Sequence, residues 1–318
     1  MNKLGTYFRD PSNSILIFFL ILLLILNVVP IASVFKDAFS VHGNEYVPDI
    51  NGEPLLEGTF TGYHWYEVFA GPLSKGMFWE PFGHSLLISV ISCAFAILFG
   101  GLAAFLICRT NMPFKKFISA VFIFPYIMPQ WTLALFWKNF FTSTNCSVTN
   151  YMGEFQALTG IAMPEWFVYG PFSISLVLGL HYAPFAYILI GGVLRNMDAN
   201  LEEAATILNI PKWKTFFKVT VPILKPALLS TVLLVFTAAM SSYPVAMTLG
   251  SPVGYYVLAV RMKTMIDGNG YMIGMGSIVS IVLIVLGVLI LLINQLSTSG
   301  RKQYTTVSGK SGQSSKVN

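Results

Sequence analysis

Residues 14–34, SILIFFLILLLILNVVPIASV, form a run without a single charged side chain. A helix crossing the roughly 30 Å hydrocarbon layer of a bilayer needs about 20 mostly apolar residues, so this run is long enough to span. Further long apolar runs lie at about 85–108, 117–137, 172–194, 222–243 and 273–293, with Lys225 near the start of the fifth. No water in the hydrocarbon layer can satisfy backbone polar groups, so each run must be helical. The expected fold class is therefore all-α, with six transmembrane helices. Composition agrees. Hydrophobic residues make up 55% of the 318-residue chain and charged residues 10%, where a soluble domain carries about 25% charged. That excludes a cytosolic enzyme or a disordered scaffold. It also excludes a nucleic-acid-binding domain, despite a net charge of +5, because the basic residues flank the apolar runs, where they report topology.

Lys3 and Arg9 precede the first run, as in a signal peptide. The run is longer than the roughly 7–15 residues of a signal core, so a retained helix is expected. Lys and Arg near span ends favour the cytoplasmic side. Arg109, Lys115, Lys116, Arg195, Lys212, Lys214, Lys218, Lys225, Arg301 and Lys302 all fall inside if the N-terminus is inside, whereas the acids from Asp37 to Glu80 fall outside. The expected organisation is N-in and C-in. A cytoplasmic segment 1–13 precedes a transmembrane domain 14–293, and a polar, disordered cytoplasmic tail 294–318 follows it. The chain is expected to cross its membrane six times.

No catalytic centre is evident. Cys93, Cys108 and Cys146 have no disulfide or metal spacing, and His42, His64, His84 and His181 do not cluster along the chain. Gly309-Lys310-Ser311 lacks the earlier glycine of a phosphate loop, since position 304 is Tyr. No bound cofactor is expected. Gly100 and Gly101 are expected to let helices approach closely.

The internal loop 195–221 is the most informative segment. Asn200 and Glu203 have the spacing of a capping box. Leu201, Ala204, Ala205 and Leu208 follow one helix face. Pro211 stops that helix, and a second short amphipathic helix is expected from Trp213 to Val221. By composition alone the segment also suits a helix lying on the lipid surface. Glu203-Ala204-Ala205, then Asn209, then Val221-Pro222, resembles the EAA loop of ABC-importer permeases, with Asn209 where the family usually has Gly. Asn tolerates left-handed backbone better than other non-glycine residues. The resemblance over about 85–293 implies the type I importer permease fold, with a cytoplasmic coupling helix docking on a separate ATP-binding subunit dimer. Glu203, Ala204, Ala205 and Asn209 would sit at the dock, and Pro211 and Pro222 would set the flanking angles. It also implies ATP and Mg on that partner, a second permease subunit, identical or homologous, and an extracytoplasmic solute-binding protein.

Pro125 and Pro129 are expected to break the third span, and Gly179 and Pro184 the fourth. Freed backbone is tolerated only where protein or water covers it, so these breaks point to the bundle interior. The pathway candidates are His181, Tyr182, Pro184, Ser241, Ser242 and Tyr243. An intramembrane histidine is a functional hypothesis by default, with an interhelical hydrogen bond as the competing role. Residues 249–266, LGSPVGYYVLAVRMKTMI, and the run HYAPFAYILIGGVLRNMD from His181 resemble the iron(III), polyamine and aminoethylphosphonate branch, which implies import of such a solute. The alternatives are a sugar-type importer permease and an ion-coupled secondary transporter. The latter often has buried carboxylates, and no Asp or Glu lies in any expected span.

Overall fold

The computed structural model describes residues 11–43, 45–49, 51–197, 207, 209–268 and 272–299. The long apolar runs are helices: α1 (Pro11–Phe39), α3 (Glu80–Arg109), α8 (Pro171–Asn196), α10 (Val221–Met240) and α13 (Ile273–Ser299). The third run is two helices, α4 (Lys115–Ile127) and α5 (Gln130–Phe141), bent by 100°. Shorter helices are α2 (Tyr63–Phe69), α6 (Glu154–Thr159), α7 (Glu165–Val168), α9 (Lys212–Thr215), α11 (Pro244–Leu249) and α12 (Leu258–Asp267). Among the described residues five helices are long and apolar enough to cross a membrane, six with the bent pair counted as one span. Among the described residues the only β pairings are the isolated bridges Ser40–Phe60 and Pro48–Pro54.

Two expectations about breaks need correction. Gly179 and Pro184 do not interrupt α8, which runs unbroken from Pro171 to Asn196. Its interior proline is tolerated because neighbouring helices cover the freed backbone. The amphipathic stretch after Pro211 is not a separate short helix either. It passes from α9 through a π-turn at Phe216–Thr220 straight into α10, and the wider turn carries the helix past Pro222.

The chain forms two compact units, residues 1–78 with 261–282 and residues 79–260 with 283–318. The centre of the second is the pairing of α3 with α8. On α3, Ser85, Ser89, Ser92, Cys93, Ala96, Gly100 and Ala104 are buried, a small-residue stripe at helical spacing that lets backbones come close. A Cβ on Gly100 would lie 2.7 Å from the Ala186 Cβ and 2.9 Å from the Tyr187 backbone nitrogen. Gly179 repeats the arrangement from the α8 side, where an added Cβ would strike Phe95. Next to Gly101 a Cβ would meet only the Ile190 Cδ1, at 3.7 Å. At the head of α3, Ser85 Oγ accepts the Leu258 N–H at 2.8 Å, and His84 Nδ1–H donates to the Tyr256 carbonyl at 2.8 Å. The turn before this seam needs Gly254, whose φ of 71° most side chains avoid.

In the first unit, the chain after α1 folds back on itself. Phe39 stacks on Phe60 at 5.4 Å and on Trp65 at 5.4 Å. Below that stack a buried carboxylate is fully engaged. Glu45 Oε2 accepts from His64 Nε2 at 3.0 Å and from the His42 N–H at 3.2 Å, and Oε1 accepts from the Gly274 N–H at 2.9 Å. The Glu45 clamp thus joins residues 42, 64 and 274, which are far apart in sequence. Burial pushes the Glu45 carboxyl up, but the hydrogen bonds from His64, Gly274 and His42 together outweigh it and hold it below its ordinary value. The sign follows from linkage. The unfolded carboxyl titrates normally, so this carboxylate stabilises the fold above pH ~5 and loses that contribution as pH falls toward its lowered folded value. Glu45→Gln is therefore expected to lower the melting temperature at pH 7, with the gap narrowing below pH ~4. Equal gaps at both pH values would contradict a charged clamp.

Candidate functional site

The site grows out of the break between α4 and α5. Met128 and Pro129 are extended at ψ 140° and 139°. In a continuous helix the Pro125 carbonyl would accept from the N–H of residue 129. Residue 129 is proline and has none. The carbonyl is supplied from another helix: His181 on α8 donates Nδ1–H to it at 2.9 Å, and the His181 side chain is buried. This bond fixes the proton on Nδ1, because a carbonyl can only accept. Tyr126 packs against both His181 (5.7 Å) and Phe185 (6.0 Å).

Immediately past the break, Gln130 opens α5 and ties three elements together. Its Nε2 donates to the Tyr182 hydroxyl at 2.6 Å, and its Oε1 accepts from Ser242 Oγ at 2.8 Å. Tyr182 and Ser242, far apart in sequence, are thus joined through a residue that sequence reasoning missed. The available signal was a lone amide directly after Pro129 in an apolar run. The amide serves both hydroxyls, and no charge is buried at this joint. It is built to hold a bent span, and it has no nucleophile–base pair for covalent chemistry. Among the described residues no group of His, Cys, Asp and Glu is placed to hold a metal ion.

The remaining candidates fall elsewhere. Ser241 is exposed and donates back to the Thr237 carbonyl at 3.1 Å, closing α10. Tyr243 precedes α11 and packs, half-buried, on the main core cluster. Pro184 is buried inside α8. In the internal loop, Glu203, Ala204 and Ala205 lie outside the described residues. Asn209 has a φ of 54°, the left-handed conformation that a glycine would otherwise supply. The Pro211 carbonyl accepts from Lys214 and Thr215 at 2.9 and 3.1 Å, starting the helical run into the membrane. Pro222 sits in the first turn of α10.

The molecule thus combines long apolar helices, a bent span and an internal loop turning through Asn209. Residues 96–302, more than half of the chain, match the family "Binding-protein-dependent transport system inner membrane component". The chain belongs to this family. It is a multi-pass protein of the bacterial inner membrane with the type I importer permease fold. It is 26% identical over 242 residues to the ferric transport system permease protein FbpB of Actinobacillus pleuropneumoniae, covering 75% of this chain but 34% of that protein. The chain thus spans about a third of the length of its ferric relatives. It is 27% identical over 232 residues to the spermidine/putrescine transport system permease protein PotC homolog of Mycoplasma genitalium, covering 73% of this chain and 75% of the relative. A bacterial ABC transporter involved in import of the acidic polysaccharide alginate shares the fold. Its TM-score is 0.70 at 17% identity, over 95% of this chain and 100% of that one.

Proposed function

We propose that this permease moves a small solute, handed over by an extracytoplasmic binding protein, through ATP-driven alternating access. The observation that carries this reading is the internal loop. It lies within the matched family region and between two spans. It bears the Glu203-Ala204-Ala205 sequence and turns through a left-handed Asn209. On the N-in orientation that the basic residues favour, the loop faces the cytoplasm. There it docks a separate ATP-binding subunit, which holds ATP and Mg, and closure of that ATPase dimer moves the helical run from Lys212 to Met240 as one lever. A second permease domain completes the pathway. In the ferric relative only 34% of the length is matched, which leaves room for such a domain in one polypeptide.

For the solute we favour the iron(III), polyamine and aminoethylphosphonate-like class. The motifs from His181 and Leu249 and the ferric relatives support it. Within that class a polyamine is the second reading, favoured by the match to the PotC homolog, which covers 75% of that relative. Binding the co-encoded binding protein with iron(III) and with spermidine separates the two.

The coupling role has its own test. In the assembled transporter, Ala205→Trp is expected to cut uptake at least tenfold while the protein still inserts and melts like the parent. The steric reason is that a docking stripe of small residues admits no indole. Asn209→Gly is expected to preserve uptake, because glycine adopts the same backbone at no steric cost. Uptake at the parental rate in Ala205→Trp would remove the docking role.

A further inference from the structure

Three helix ends that the topology assigns to the same side meet in the structure around one open cleft of about 420 Å³. Its walls are Ile107 and Cys108 from the end of α3, Lys115, Lys116 and Ser119 from the start of α4, and Tyr187 and Arg195 from the C-terminal half of α8. Cations dominate its polar lining. Arg195 lies over the Tyr187 ring at 6.0 Å, and the Tyr187 hydroxyl shares a 2.8 Å hydrogen bond with Ser119 Oγ. The described ion pairs involve His42, His64 and Lys263, so among the described residues no carboxylate neutralises Lys115, Lys116 or Arg195. Three cations gathered in a cleft repel one another unless an anion joins them.

An apolar track leads away from the cleft. Phe117, Val121 and Phe124 recur at spacings of four and three along α4, Phe114 stands just before the helix, and all four are exposed, from 55% to 80%. The Phe track therefore starts beside the lysines and runs along the exposed face of the helix. A soluble phosphate has no use for such a track, whereas an acyl chain does.

We propose that this cleft is a binding site for an anionic phospholipid of the inner leaflet. Its phosphodiester sits among Lys115, Lys116 and Arg195 and accepts the one hydroxyl proton that the Ser119–Tyr187 hydrogen bond leaves free, and its acyl chain lies along Phe114, Phe117, Val121 and Phe124. The inference rests on the N-in orientation, which puts these helix ends at the cytoplasmic headgroup layer. It does not depend on which solute is carried. The lipid would bridge the ends of α3, α4 and α8, next to the loop that leads to the coupling segment.

The test uses the full-length permease, assembled with its companion subunits, in nanodiscs of phosphatidylcholine with and without phosphatidylglycerol. Native mass spectrometry counts the phosphatidylglycerol retained after transfer to detergent. Each basic residue near an anionic surface is worth roughly a factor of five. Lys115→Gln, Lys116→Gln and Arg195→Gln together are therefore expected to weaken retention about a hundredfold at low salt, and less as salt screens the charges. Melting of the triple variant in pure phosphatidylcholine should be no lower than the parent's, because the repulsion among the three cations is gone, which separates lost binding from lost folding. Phe117→Ser is expected to weaken retention of the lipid while leaving the pairing of permease subunits intact. Three results would overturn the proposal. One is equal retention by the triple variant. Another is displacement of the lipid by millimolar inorganic phosphate, which would make the site one for free phosphate. The third is loss of subunit pairing in Phe117→Ser with retention unchanged, which would make the apolar track a contact between subunits.

Discussion

Gly100→Val is expected to abolish assembly of the membrane domain, while Gly101→Ala, one position on, is expected to be silent or mildly stabilising. The contrast comes from what each added carbon meets. At Gly100 a Cβ would enter the backbone of α8 around Ala183 and Tyr187 and approach the Ala186 Cβ at 2.7 Å. The Ala183 oxygen and the Tyr187 nitrogen are main-chain atoms of a buried helix, and they cannot rotate out of the way. Overpacking of ordinary core positions costs about 1–3 kcal/mol. Here relief requires the two helices to separate, which also opens the contacts of Ser92 with Gly179 and of Ala104 with Gly191 on the same stripe. At Gly101 the new methyl group makes an ordinary contact with Ile190, and alanine favours a helix interior by roughly 0.5–1 kcal/mol over glycine. Detergent-resistant yield and thermal unfolding of the two variants read the difference directly. Similar melting temperatures for both would mean that α3 and α8 do not pack this closely in the membrane.

His181→Phe is expected to lower the stability of the permease by about 1–3 kcal/mol, the usual cost of leaving a buried carbonyl without its donor. The carbonyl is that of Pro125, and Pro129 cannot serve it from within its own helix. His181→Gln, whose amide can donate in place of the ring, is expected to recover most of the loss. Uptake per assembled transporter should change little in either variant, because the histidine is committed to the bend. If both variants melted like the parent and uptake fell in both, the ring would be facing solute and the hydrogen bond would be incidental. The two single-residue contrasts, at Gly100 and at His181, also separate helix packing from the bend as sources of stability.

Much of this architecture was legible in the sequence because the bilayer forces the reading. An apolar run of span length has only one good solution, so the helices appear close to where their residues put them, with ends displaced by a few residues. The close-approach role of Gly100 was legible for the same reason. Breaks were less legible. Four spots in two spans carried a helix-breaking residue, yet only Pro125–Pro129 produces a bend. Two prolines four apart remove an internal donor where the chain can turn away, whereas Pro184 is held in line by neighbours on α8. The partners were least legible. Nothing local marks Gln130 as the bond between Tyr182 and Ser242, or Glu45 as the acceptor for residues as distant as Gly274. Such pairings depend on which chain segments meet, and the periodicity of one segment does not encode that. Asn209 was an intermediate case: its residue type permits the left-handed turn that the structure contains, but permission is weaker than necessity.

The proposed lever makes this permease passive on its own. The direct measurement is solute uptake into vesicles that contain the permease and a loaded binding protein, with and without the companion ATPase and ATP. ATP-driven coupling predicts accumulation only when both are present, and its collapse to background with Ala205→Trp. Accumulation of comparable size by the permease alone, driven by an ion gradient, would contradict it.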